Sequence, residues 1–191
     1  SAPTLMVPGR VAERHPALVR RLHQLGAELA VHGYEHVDLQ AYAPQQAAAQ
    51  LLRAAAVFRA QGIPVDGFRC PYLGCGDALI EALPPGSFRY SSNVAINWSL
   101  RVERRFPNCR GAASAVCKTL GRFYRALPGQ EAPSTPRERA GLLEIPASVP
   151  DDLQLVDGLG LDTSELAEMW IDILEEVHRR GELFTVLFHA E

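Results

Sequence analysis

Short apolar runs alternate with longer amphipathic ones along this chain, the pattern of β–α units around a mainly parallel sheet. Thr4 to Val7 reads as a buried strand that Pro8-Gly9 brings to an end. Ala17 to Leu25 predicts a helix with Leu18, Leu22 and Leu25 on one face, Pro16 in a tolerated first-turn position and Gly26 as the stop. Glu28 to Val31 follows as a short strand. Gln45 to Ala60 predicts a long helix carrying Leu51, Ala55 and Phe58 at helical spacing and closed by Gly62. Further strands are expected over Val65–Arg69, Phe88–Ser91 and Leu142–Ile145, with a short helix over Asp77–Leu83. The stretch 93–136 patterns least well; it predicts a helix over Ala112–Tyr124 and a proline-rich loop from Pro128 to Pro136. Asp162 or Thr163 caps a helix reaching Arg180, with Leu166, Trp170, Ile173 and Val177 inward and Gly181 as terminator. Leu183 to Phe188 is uninterruptedly apolar, which suits a strand buried on both faces. No internal repeat appears, so one α/β domain over residues 1–191 is the expectation.

Composition narrows this picture only slightly. With 191 residues, 47% hydrophobic and 21% charged, the chain is long enough and apolar enough to bury a core. A net charge of -3 leaves no electrostatic footprint for nucleic acid. No apolar run reaches the roughly 20 residues of a membrane span, and Ser1 to Val7 does not read as a signal peptide. A cytoplasmic location is therefore the expectation, with secretion open should a leader precede Ser1. Every basic residue except Lys118 is arginine, which with the alanine-rich runs reads as the codon bias of a bacterial gene. The 4 cysteines (Cys70, Cys75, Cys109 and Cys117) have neither zinc-ribbon spacing nor the density of a disulfide scaffold. Ordinary reduced thiols are expected, with Cys109 and Cys117 open to bridging if their segment folds back.

Chemistry collects where predicted strands end. In α/β barrels functional residues sit at the C-terminal ends of strands, on one rim. His32 closes the second strand, Arg69 the third and His189 the last, while Asp151 and Asp152 follow the strand ending near Ile145. His32-Gly33-Tyr34-Glu35-His36 carries two imidazoles at a spacing that suits one metal ion, and neutral imidazole suits zinc and its neighbours. Glu35 and Asp38 are the nearest carboxylates, and both read as solvated loop residues. In Gly67-Phe68-Arg69-Cys70-Pro71-Tyr72, a strand-end arginine can fix a carboxylate through its planar fork. In Leu187-Phe188-His189, a histidine at the mouth of a strand suits general acid work, a structural histidine being the competing explanation.

The order HxxxH, RxPY and a final strand ending in histidine resembles the polysaccharide deacetylases of carbohydrate esterase family four, the NodB-homology domains. Thr4 to Gly9 resembles that family's strand after the first helix, and Ala27 to Gly33 its strand leading into the metal-binding histidines. The resemblance runs from about Thr4 to His189, loosely over 93–136. It implies a distorted (β/α) barrel, a divalent metal, most often zinc, and hydrolysis of N-acetylated sugars by metal-activated water. His32 and His36 would be metal ligands. Arg69 would orient the catalytic base, and the Tyr72 backbone N–H would help hold the oxyanion. His189 would protonate the departing amine, Leu187 would line the pocket for the acyl methyl, and Asp151 or Asp152 would tune His189.

The family's first motif, a strand ending in paired aspartates, supplies the base and the third ligand. It would lie one helix upstream of Thr4, so a longer protein with that first strand outside this chain is the expectation. After His189 the family usually has proline, and this chain has Ala190. Two other functions stay open: a related metal-dependent amidohydrolase acting on a small amide, and an inactive barrel that binds glycan or protein. A carbohydrate is the expected partner; substrate identity and oligomeric state lie beyond the sequence. The absence of a GxSxG elbow argues against a serine hydrolase.

Overall fold

In the computed structural model, residues 2–98, 105, 111, 115, 118–119, 124–129 and 132–189 are described. They gather into two compact units, one of residues 1–93 with 137–144, the other of residues 94–136 with 145–191.

The first unit is built on a six-stranded sheet in the order β1-β2-β3-β4-β6-β5, where β1 is Thr4–Val7, β2 Glu28–Val31, β3 Gly67–Phe68, β4 Tyr90–Ser91, β5 Arg137–Arg139 and β6 Leu142–Glu144. The pairs from β1 through β4 to β6 are parallel, with Val7 beside Val31, Val31 beside Phe68, Phe68 beside Ser91 and Ser91 beside Glu144. Only β5 runs antiparallel to β6, through a two-residue turn at Ala140-Gly141 in which both residues take positive φ. Helices α1 (Gly9–Arg14), α2 (Pro16–Gln24), α3 (Pro44–Ala60) and α4 (Asp77–Glu81) connect the strands. Pro16 and Pro44 stand at first helical positions, where a missing N–H costs nothing.

On α3 the predicted face is the buried one: Leu51, Ala55 and Phe58 are all fully enclosed beside Val31, Phe68 and Phe88. Burying Leu51 or Phe58 contributes about 1.5–3 kcal/mol each. On α2 the predicted face is wrong. Val19 is buried, whereas Leu18 and Leu25 are exposed and Leu22 is only partly covered. Three leucines define a stripe on a helical wheel, but the smaller valine occupies the inward position. The expected strands over 65–69 and 88–91 shorten to β3 and β4, because only these residues find ladder partners.

The second unit holds a three-stranded parallel sheet in the order β8-β7-β9, where β7 is Ala95–Asn97, β8 Leu127–Pro128 and β9 Ala147–Val149. Helix α5 is Asp152–Val156 and α6 is Thr163–Arg179. Asp162 caps α6, accepting from the N–H groups of Ser164 and Glu165, while Glu165 reaches back to the Asp162 N–H. Leu166, Met169, Ile173 and Val177 bury one face of α6 against Ile96, Trp98, Leu155 and Leu161; Trp170, expected inward, is partly covered.

The expected last strand needs correction. Residues 183–188 form no strand: Leu183, Val186 and Phe188 are exposed, and one ladder-like bond, from the Ser148 N–H to the Thr185 carbonyl, joins them to β9. An apolar run becomes a strand only where neighbours complete its backbone hydrogen bonds. The fold class is α/β with a mostly parallel sheet, as expected, and the described strands fall in two sheets. The helix expected over 112–124, Cys109 and Cys117 lie wholly or largely outside the described residues.

Candidate functional site

Parallel pairing in the first unit aligns the chemistry. Because Val31 sits beside Phe68, the next residues along each strand, His32 and Arg69, emerge together at the C-terminal edge of the sheet. The His32 N–H bonds to the Val7 carbonyl (3.2 Å), and the Arg69 N–H to the Val31 carbonyl (2.9 Å). The first turn of α1 docks on the histidine loop: the N–H groups of Gly9 and Arg10 reach the Gly33 and Tyr34 carbonyls, each at 2.9 Å. Gly9 is obligatory there, since a Cβ would stand 2.8 Å from Ala54 and 2.9 Å from the Tyr34 ring. Tyr34 is buried, donates to Glu13 (2.6 Å) and lies under the Arg53 guanidinium. Its hydroxyl pKa is raised, chiefly by that bond to Glu13. Between the two histidines, then, the loop is anchored in the core.

His32 and His36 lie edge to face with ring centroids 5.0 Å apart, and the Tyr72 ring meets His36 at 4.9 Å. The His32 Nδ1 lies 2.7 Å from the Arg69 carbonyl. A carbonyl can only accept, so the proton is on Nδ1 and Nε2 carries the lone pair that a metal takes. Two neutral imidazoles this close are a donor set whose chemistry suits a zinc-like ion. Neither neighbouring carboxylate joins them: Glu35 pairs with Arg10, and Asp38 caps the short turn Leu39–Ala41 by accepting from Gln40. Among the described residues no third His, Cys, Asp or Glu completes a ligand set with these imidazoles.

Among the described residues the Arg69 side chain bonds Ser92 and not a carboxylate, the use its planar fork suggested. Its Nε donates to the Ser92 carbonyl (3.0 Å) and Nη2 to the Ser92 Oγ (2.7 Å). Desolvation lowers its pKa to about 10, against the opposing fields of Tyr90 and Glu144. Tyr72 and Leu73 occupy the left-handed region (φ 59° and 56°) in the turn Pro71–Leu73. Such backbone costs of order 1 kcal/mol per residue and persists only when its surroundings impose it.

Sequence reasoning missed a buried carboxylate in the same unit. Glu144 is fully buried; it accepts from the Ser91 hydroxyl (2.6 Å) and the Asn93 N–H, with Arg139 Nη1 at 3.6 Å. Asn93 Oδ1 in turn accepts from the Cys70 N–H (2.7 Å), and Arg139 bonds Asp77 and the Cys75 carbonyl. The available signal was a lone glutamate inside the apolar run Leu142–Ile145. A shallow groove of the same unit, lined by Leu83, Pro84, Phe88 and Leu142, contains none of the motif residues.

In the second unit, Asp151 and Asp152 follow β9 rather than the Leu142–Glu144 strand from which the sequence counted them. Asp151 caps α5 through the Gln154 N–H, and desolvation raises its pKa although its hydrogen bonds oppose the shift. Asp152 grips His189 twice: Oδ2 accepts from the His189 N–H and Oδ1 lies against Nδ1, both at 2.7 Å. Asp151, Asp152 and His189 each offer a ligand atom within 4.8 Å of the others, a grouping the sequence did not suggest could hold a metal. Leu187 is half-buried nearby in sequence.

Residues 3–84, which contain the HxxxH and RxPY motifs, match the family model for polysaccharide deacetylase. Among solved structures, this chain is similar to a protein from Mycobacterium smegmatis described as a polysaccharide deacetylase, at 21% identity and TM-score 0.65, covering 97% of this chain and 57% of that one. It is also similar to Puue allantoinase, at 17% identity and TM-score 0.65, covering 98% and 55%. At these identities the likeness is one of fold, and the chain spans less than two thirds of the length of either structure. No curated protein matches it.

Proposed function

We propose that the protein hydrolyses the acyl amide of N-acylated sugars, with His32 and His36 holding a divalent metal, zinc by their donor chemistry. The observation that carries this is the oriented imidazole pair, with the His32 proton fixed on Nδ1 by the Arg69 carbonyl, inside the stretch that matches the deacetylase family. A divalent ion bound there supplies Lewis acidity toward the amide carbonyl.

This chain's own residues have separate tasks. Arg69 fixes the end of β3 through Ser92 and orients His32 through its carbonyl. Tyr72 presents its N–H as a donor to developing oxyanion charge, in a backbone conformation already imposed. The departing amine requires a proton, and His189 is suited to deliver it from Nε2 while Asp152 holds Nδ1 and stabilises the imidazolium. Leu187 is assigned to the pocket for the acyl methyl.

Elemental analysis of the full-length protein, beside assays of acetate release from N-acetylglucosamine oligomers and of ring opening of a small cyclic amide, tests this. About one metal per chain, lost in His32→Ala/His36→Ala together with acetate release, is expected. Turnover of the cyclic amide alone would transfer the site to a small-amide hydrolase, and a chain without metal or turnover would overturn the proposal.

A further inference from the structure

Arg139 ends β5, opposite Leu142 of β6 and directly before the Ala140-Gly141 turn. Its side chain is only 19% exposed, and its three nitrogens meet three separate partners. Nε donates to Asp77 Oδ1 (2.8 Å), Nη2 donates to the Cys75 carbonyl (2.6 Å), and Nη1 lies 3.6 Å from Glu144 Oε2. A guanidinium delivers such a set in one rigid fork, whereas a lysine ammonium is a mobile point charge. The turn that carries Tyr72 is folded on itself by three backbone bonds: Leu73 N–H to the Cys70 carbonyl (3.1 Å), Gly74 N–H to the Pro71 carbonyl (3.1 Å) and Cys75 N–H to the Leu73 carbonyl (3.0 Å). Its start is fixed where Asn93 Oδ1 accepts from the Cys70 N–H (2.7 Å), and its end where Arg139 grips the Cys75 carbonyl. Glu144 backs both holds, through the Asn93 N–H on one side and Arg139 on the other.

From this geometry we infer that Arg139 is a positioning residue: by holding the Cys75 carbonyl it keeps the Tyr72 turn in its left-handed form and so aims the Tyr72 N–H. Tyr72 and Leu73, at φ 59° and 56°, are neither glycine nor asparagine, and such residues keep this backbone only under constraint from their surroundings. A segment pinned at one end can relax by rotating Tyr72 and Leu73 into right-handed or extended backbone. A segment pinned at both ends cannot do so without breaking a hydrogen bond. Arg139 touches neither the histidine pair nor Tyr72 in any printed contact, so its influence runs through the Cys75 carbonyl. The effect on catalysis rests on the proposed use of the Tyr72 N–H toward the oxyanion; the effect on the turn does not.

The test compares wild type, Arg139→Lys and Asp77→Ala in the full-length protein labelled with 15N-tyrosine. Lysine keeps a charge beside Glu144 but cannot reach Asp77 and the Cys75 carbonyl together. Asp77, two-thirds exposed, removes one anchor of the guanidinium without opening the core. The Tyr72 amide signal, assigned by its loss in Tyr72→Phe, should move in Arg139→Lys and move less in Asp77→Ala, while the Tyr34 signal stays in place. Acetate release from N-acetylglucosamine oligomers by the same proteins should show kcat lowered about 10- to 100-fold in Arg139→Lys, the scale of a displaced or lost oxyanion donor. KM and metal content should be unchanged, a split that a general loss of stability would not produce. A Tyr72 signal that stays in place overturns the inference, and so does a moved signal with wild-type kcat. Should Arg139→Lys lose its folded Tyr34 signal, Asp77→Ala decides by the same two readings. A wild type inactive on sugars defeats the proposed function, and the Tyr72 signal still decides whether Arg139 sets the turn.

Discussion

Replacing Glu144 is the most demanding test of how the first unit positions its motifs. The carboxylate is fully buried between β4 and β6 and satisfies the Ser91 hydroxyl, the Asn93 N–H and, at longer range, Arg139. In Glu144→Ala those donors lose a charged acceptor in a site closed to water, and a cavity remains. Removing one partner of a buried ionic cluster costs about 3–5 kcal/mol. Glu144→Gln preserves shape and one acceptor oxygen, so its cost is that of one charge-assisted hydrogen bond, about 1.5–3 kcal/mol. For a chain of this size each 1 kcal/mol lowers Tm by roughly 2–4 °C. Urea and thermal unfolding of the two variants should therefore rank wild type above glutamine above alanine. The damage should also travel: Asn93 holds the Cys70 N–H and Ser92 holds Arg69, so histidine-bound metal should weaken in the same order. An alanine variant within about 0.5 kcal/mol of wild type, the usual spread of neutral surface changes, would refute the network.

Three other outcomes are expected. His32→Ala should remove the metal from the full-length protein while retaining the fold, as elemental analysis and circular dichroism will show; stoichiometric metal in the variant would reassign the ligand. Asp152→Asn should lower turnover by about 100-fold or more, the usual contribution of general acid catalysis, with KM little changed, and an unaltered kcat would remove His189 from the reaction. Burial raises the Asp151 pKa, so its protonated form favours the fold: that contribution is full below the ordinary carboxylate pKa and is lost as pH rises through the raised folded value. Asp151→Asn keeps an acceptor for the Gln154 N–H, and its stability relative to wild type should improve between about pH 3 and about pH 7. Urea midpoints at both pH values check this, and a change of opposite sign would contradict it.

The sequence disclosed those elements whose order is local. Helices α3 and α6 were legible because long apolar periodicity coincides with Pro44 at one start and with the Asp162–Glu165 capping box at the other. Strands β1 and β2 were legible as apolar runs bounded by Pro8-Gly9 and by His32. The strands of the second unit, two or three residues each, are too short for a period of two to register. Residues 183–188 misled for the opposite reason: hydrophobicity was present without the ladder that makes a strand.

The candidate sites divide along the same line. His32, His36, Arg69 and Tyr72 could be read because each stands within a few residues of a strand end, and parallel register then brings neighbouring ends together without further information. The grip of Asp152 on His189 joins positions 37 apart, and Glu144 reaches Asn93 across 51. No periodicity encodes such distances. What the sequence offers instead is an anomaly of composition, an acidic residue where an apolar pattern demands none, as at Glu144 among Leu142, Leu143 and Ile145. A carboxylate survives in such a place only if donors surround it, because an unpaired buried charge costs several kcal/mol. The search for supporting residues around a motif therefore starts from the charges that the apolar pattern forbids.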